Sequence, residues 1–182
     1  MKGILYGIGI GPGDPEHITL KAVRMMKEVD VIAAPGTDVK ETLAYRIAVQ
    51  AVPEIEQKEM LPIDMPMTMD KELLLKAHKS GAETIEKVLA EGKSVGFITL
   101  GDTTVYSTFS YLEKIVKNHG FETVYISGIT SFCAAAASLG IPLTEWQEPL
   151  HVIPAVHQLD DKLALDGSYV LMKSGRQMPK VK

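Results

Sequence analysis

The residues best suited to chemistry in this 182-residue chain lie in three glycine-bearing segments. They are Gly7-Ile8-Gly9-Ile10-Gly11-Pro12-Gly13-Asp14-Pro15, Gly101-Asp102-Thr103-Thr104 and Gly128-Ile129-Thr130-Ser131. Without a Cβ, a glycine backbone takes φ > 0 and lets another body come close. Pro12 and Pro15 remove amide donors and bias the preceding residues toward extended conformations, so the first loop is stiff and no helix starts before Pro15. A plain strand-to-helix turn needs one or two glycines, and here four stand within seven residues. Gly7-Ile8-Gly9 also opens a dinucleotide-binding pattern. That pattern fails, because Pro12 stands where the third glycine belongs and Asp30 sits at the start of the second strand instead of its end. Each segment follows a strand-like run. Loops at the carboxyl ends of parallel strands converge on the face where open α/β sheets bind ligands, so the three are expected to line one cleft.

The intervening chain supplies the elements that must position them. Lys21 to Lys27 reads as a helix, and Asp30 to Ala34 as a buried strand closed by Pro35-Gly36. Thr37 or Asp38 is expected to cap a second helix carrying Leu43 and Ile47 inward. Between Val52 and Met69 the chain is rich in Pro and Met, with one short strand near Glu59-Met60-Leu61. Met60, Met65, Met67 and Met69 suit either core filling or a flexible apolar wall for a flat ligand. Asp70 can cap a helix through Leu74, Gly81, Ile85 and Val88. Strands at Ser94 to Leu100 and Thr123 to Ile126 flank a helix from Ser107 to Asn118. An alanine-rich helix, Phe132 to Leu139, precedes strands near Leu150 to Ala155 and Ser168 to Lys173. This alternation indicates an α/β fold with a parallel sheet. A lobe boundary is expected near Tyr125 to Gly128, giving lobes 1–125 and 126–182.

The chain's totals narrow the function classes. A net charge of −4 gives no basic footprint for nucleic acid. Cys133, the only cysteine, excludes a disulfide framework and a cysteine-built zinc site. No apolar run is long enough to span a bilayer, and the first residues pass directly into a strand with no cleavable leader. The expectation is a soluble cytoplasmic protein.

The loop Gly-x-Gly-Pro-Gly-Asp-Pro followed by Leu20-Lys21-Ala22 resembles the opening motif of the tetrapyrrole (corrin and porphyrin) methylases. Gly101-Asp102 and Gly128-Ile129-Thr130-Ser131 resemble that family's two later motifs. The segments Asp102 to Phe109, Ile129 to Ala136 and Glu148 to Ala155 are similar to its C-20 methyltransferase branch. That branch acts on a precorrin-2 or cobalt-factor II ring in cobalamin synthesis. The resemblance implies two α/β lobes with S-adenosylmethionine in a trough between them, and a homodimer. Carried over by residue, Pro12, Leu100, Gly101, Asp102, Val105, Thr130, Ser131 and Met172 are implied to contact the methyl donor. Asp102 is expected either to accept from its amino group or ribose, or to cap the following helix. Asp14 is expected to brace its loop.

The implied substrate is a large ring fringed with carboxylates, for which Arg24, Lys40, Arg46, Lys173 and Arg176 are candidate anchors. A proton must leave the methylated carbon, and His151, His157, Tyr106 or Asp38 are candidate acceptors. No metal is required from the protein, since cobalt would arrive inside the ring. The family's second lobe normally continues past a segment like Lys173-Ser174-Gly175-Arg176, whereas this sequence stops at Lys182. The C-terminal lobe is therefore expected to be incomplete, with an open sheet edge. Alternatives are a family methylase acting at another ring position, and a tetrapyrrole-binding remnant without turnover.

Overall fold

A computed structural model describes residues 2–66, 68, 70–154 and 165–173. His157, Arg176, Met67 and Met69 lie outside the described residues. The chain forms two compact units, Met1–Ser131 and Phe132–Lys182.

The first unit is a five-stranded parallel sheet. Its strands are β1 (Ile4–Gly9), β2 (Val31–Pro35), β3 (Glu59–Ile63), β4 (Val95–Thr99) and β5 (Glu122–Ile126), in the order β3-β2-β4-β1-β5. Continuous apolar runs such as Val31 to Ala34 suit strands covered on both faces, and these four residues are fully buried. One face packs on α1 (Leu20–Glu28) and α2 (Leu43–Ala51) through Met26, Ala44, Ile47 and Ala48. The other packs on α3 (Lys71–Ala90) and α4 (Phe109–Asn118) through Ala82, Ile85, Leu89, Leu112 and Val116 around Phe97 and Phe109. Thr19, Thr42 and Asp70 cap α1, α2 and α3 with their side-chain oxygens. Lys58 Nζ donates to the carbonyls of Lys27 and Val29, closing the C-terminal end of α1.

Two local expectations change, and one pair of alternatives is decided. The second helix starts at Leu43 and not after Thr37 or Asp38, because Val39 turns into the core and Thr42 Oγ1 takes the capping bond from Tyr45 N at 3.2 Å. The third strand runs on through Pro62 to Ile63. It is an edge strand, where a missing N–H costs no ladder bond. Met60 and Met65 pack against the two cores, so these two methionines are core filling.

The second unit holds α5 (Ser131–Leu139), whose first residue closes the first unit, and a parallel pair, β6 (Leu150–Pro154) with β7 (Ser168–Met172). His151 stacks on Tyr169 at 4.8 Å, and its Nε2 lies 3.0 Å from the carbonyl oxygen of Asp166. Among the described residues, no helix is long and apolar enough to cross a membrane.

The entries of β2 and β4 are tied by one carboxylate. Asp30 Oδ2 accepts from Ser94 N at 2.7 Å and from Ser94 Oγ at 2.8 Å. The amide of Ser94, then its hydroxyl, holds the Asp30 carboxyl below its usual range. A depressed folded pKa places this stability above the unfolded value near 3.9, and it is lost as pH falls through the folded value. Asp30→Ala is expected to lower stability by about 1 kcal/mol at pH 7. The gap to the native protein should close as urea unfolding is repeated below pH 4; a gap unchanged at low pH would contradict this linkage.

Candidate functional site

The three predicted loops meet at the carboxyl edge of the five-stranded sheet. Gly11 and Gly101 form an antiparallel pair, Gly101 N to Gly11 O at 2.8 Å and Gly11 N to Gly101 O at 3.2 Å. Both sit in the left-handed region, at φ 74° and 70°, which glycine adopts without Cβ strain. The third loop presses on this pair. A Cβ on Gly9 would lie 2.6 Å from Gly128 N and 2.8 Å from Gly101 O, and a Cβ on Gly128 would strike Gly101 O and the Gly9 backbone. Thr103 Oγ1, fully buried, donates to Ile126 O at 3.3 Å. Thr19 Oγ1 reaches Ser127 O at 3.5 Å, joining the foot of α1 to the third loop.

Asp102 is 8% exposed. Its Oδ1 accepts from the amide of Thr104 at 2.7 Å and from the Thr104 hydroxyl, and its Oδ2 accepts from Gly128 N at 2.9 Å. It does not cap the helix that follows, whose first turn begins after Thr108. Asp14 braces its loop as expected, accepting from Glu16 N at 2.9 Å.

The glycines are used differently from a ligand cradle alone. The space above Gly7 is filled by the Phe109 ring, and Gly9 and Gly128 face each other. Open space remains at Gly13, with nothing within 4 Å of a Cβ, and at Gly101, where only Ile129 O approaches, at 3.9 Å. Around them Leu100 is 42% exposed, Pro12, Val105 and Thr130 are half-buried, and Ser131 is exposed. Seven of the predicted contacts, Pro12, Leu100, Gly101, Asp102, Val105, Thr130 and Ser131, thus belong to the converging loops or their continuations. Met172 ends β7 in the second unit.

Three features here have no local signature in the sequence. Among the described residues, His17 Nδ1 and Thr130 Oγ1 are buried side-chain atoms without a hydrogen-bond partner. Tyr106 holds φ 50°, an uncommon region for a bulky side chain. Glu113, on α4, is buried and accepts from Thr123 Oγ1 at 2.7 Å and Tyr125 OH at 3.2 Å. Burial first, then the Glu113 charge, pushes the Tyr125 phenol up.

A family model described as Tetrapyrrole (Corrin/Porphyrin) Methylases matches residues 4–182. The chain belongs to that family. It is 39% identical over 171 residues to a Methanocaldococcus jannaschii protein named "Probable cobalt-precorrin-2 C(20)-methyltransferase", covering 93% of this chain and 72% of that protein. The structure resembles the cobalt precorrin-4 methyltransferase CbiF with a TM-score of 0.72 at 23% identity, over 98% of this chain and 72% of that one. It also resembles a Thermus thermophilus uroporphyrin-III C-methyl transferase complexed with S-adenosylhomocysteine. There the TM-score is 0.58 at 24% identity, over 85% of this chain and 58% of that one. Both likenesses concern the fold.

Of the cations suggested for a tetrapyrrole methylase substrate, Arg24 pairs with Glu28 at 3.7 Å and Arg46 with Glu41 at 2.5 Å. Lys40 stands exposed on the loop after β2, its amide fixed by Asp38 Oδ1 at 2.9 Å. Lys173 follows β7 at φ 59°. Among the described residues no group of three or more His, Cys, Asp or Glu is placed to hold a metal ion.

Because Gly128 meets backbone, which cannot rotate away, Gly128→Ala is expected to cost about 3 kcal/mol. Gly13→Ala, in open space, should stay within about 0.5 kcal/mol. Denaturant midpoints of the two variants check this, and equal midpoints would show that the loops are not packed on one another.

Proposed function

We propose that this chain transfers a methyl group from S-adenosylmethionine to C-20 of a precorrin-2 or cobalt-factor II ring in cobalamin biosynthesis. The observation that carries the reading is the 39% identity, across 93% of the chain, to a relative named for that reaction. The site supports it on its own terms. S-adenosylmethionine supplies an electrophilic methyl group, so that attack by the ring carbon leaves a thioether and asks the protein for no nucleophile.

What the chain must provide is a fixed seat that excludes water. Pro12, Leu100, Gly101, Val105, Thr130 and Ser131 are the residues of the first unit that we assign to this seat. The open backbone at Gly101 and the unpartnered hydroxyl of Thr130 are the features that fit a polar ligand. The reading carries with it the homodimer that the resemblance implies and the cytoplasmic setting expected from the chain's totals.

A thermal-shift measurement separates this reading from a nicotinamide enzyme. S-adenosylhomocysteine at about 100 times its Kd should add about 2.7 kcal/mol of stability, and NAD should add none. Mass spectrometry of the ring after incubation with S-adenosylmethionine, with and without cobalt in the ring, then tests turnover. One added methyl at C-20 is the expected product. Addition at another ring position would move the chain to a different branch of the family, and binding without addition would make it a tetrapyrrole-binding remnant.

A further inference from the structure

We propose that Asp102 is a positioning residue that clamps the third loop onto the second, and that it acts on the methyl donor only through the loop it holds. The inference rests on the function proposed above. Both carboxylate oxygens are committed within the protein. Oδ1 faces the amide and hydroxyl of Thr104, in its own loop, and Oδ2 faces the amide of Gly128, across the gap to the loop after β5.

The span matters because Gly128 has no side chain to anchor it and lies against Gly9 and Gly101. A glycine amide at a strand exit has wide freedom unless something accepts from it. Asp102 Oδ2 is that acceptor, and the burial of Asp102, 8% exposed, shields the carboxylate side of the bond from competing water. Downstream, the same loop carries Thr130, with its unpartnered buried hydroxyl, and Ser131, the first residue of α5. Fixing Gly128 therefore fixes the register of the two later residues assigned to the donor. A carboxylate is needed because each oxygen must accept. Asparagine offers an acceptor at one end only and sets an N–H against an N–H at the other.

The test uses the whole chain as Asp102→Asn and Thr104→Val. In ligand-free protein, amide exchange at Gly128 should accelerate on the order of tenfold in Asp102→Asn, as a part-buried hydrogen bond is lost. Affinity for S-adenosylhomocysteine and for 5′-methylthioadenosine, which lacks the amino-acid tail, should fall by the same factor. In turnover the KM for S-adenosylmethionine should rise while the KM for the ring stays unchanged, a split that loss of folded enzyme does not produce. Thr104→Val removes one donor from Oδ1 and should shift the exchange and affinity readouts in the same direction by about threefold, which keeps the test open should Asp102→Asn not fold. Unchanged Gly128 exchange in both variants overturns the clamp. So does an affinity loss for either ligand that exceeds the change in Gly128 exchange, which would make Asp102 a direct contact with the tail or the ribose. If the native protein binds neither ligand, the proposed function fails, while the exchange rates still decide the clamp.

Discussion

Backbone touching backbone at one edge of the sheet is the contact on which the rest of the first unit depends. β1 lies between β4 and β5, so its loop leaves the sheet with a neighbour on either side. The Gly11–Gly101 pair closes one side, and Gly9 against Gly128 closes the other. Glycine is required at these points for different reasons, positive φ in the pair and lack of room at the two facing residues. A side chain at Gly9 or Gly128 would separate strand ends that the ladder below holds at fixed spacing. Methyl transfer needs its partners aligned, and small misplacements are costly. Under the proposed function, a seat resting on packed main chain has few rotors to freeze, which suits that demand.

Much of this fold is legible in the sequence, because strands buried on both faces must be apolar throughout. Val31 to Ala34 and Val95 to Ile98 announce themselves in this way, and glycine after β1, β2, β4 and β5 marks their loops. Element boundaries are less legible where several residues can do the same local job. Thr37, Asp38 and Thr42 are all competent caps, and the choice falls to Thr42 because Val39, between them, is drawn into the core. That decision is tertiary and leaves no local trace. Pro62 looks like a strand terminator until the strand is known to be at an edge.

At the site, glycine spacing locates the loops but does not say what each bare backbone faces. Gly7 stands in the same motif as Gly11, yet its missing side chain makes room for Phe109. Glu113 reads as part of a solvated helix face, with Lys114 and Lys117 beside it. Its burial follows from Thr123 and Tyr125 on an adjoining strand, whose side chains supply the hydrogen bonds that a buried carboxylate needs. His17 follows a proline-started turn and gives no hint that one ring nitrogen is enclosed.

The acids of the carboxyl edge show how the same residues shape both structure and charge. Asp14, Asp38, Asp70 and Asp102 each spend an oxygen on main-chain amides, those of Glu16, Lys40, Glu72 with Leu73, and Thr104 respectively, and Asp102 adds Gly128. They fasten turns, which is why short acids stand there. The same loops hold few basic residues. Lys40 is the sole lysine or arginine in residues 10–19, 36–42, 64–70, 100–108 and 127–130, the loops that leave the five strands. Such an edge attracts a sulfonium cation and repels a ring fringed with carboxylates, by an interaction of about 1 kcal/mol per pair at 4 Å in water and more where water is excluded. Under the proposed function, the edge that fixes the loops therefore also favours the cationic partner of the reaction. Holding the ring's carboxylates then falls to Lys40 and to groups away from this edge.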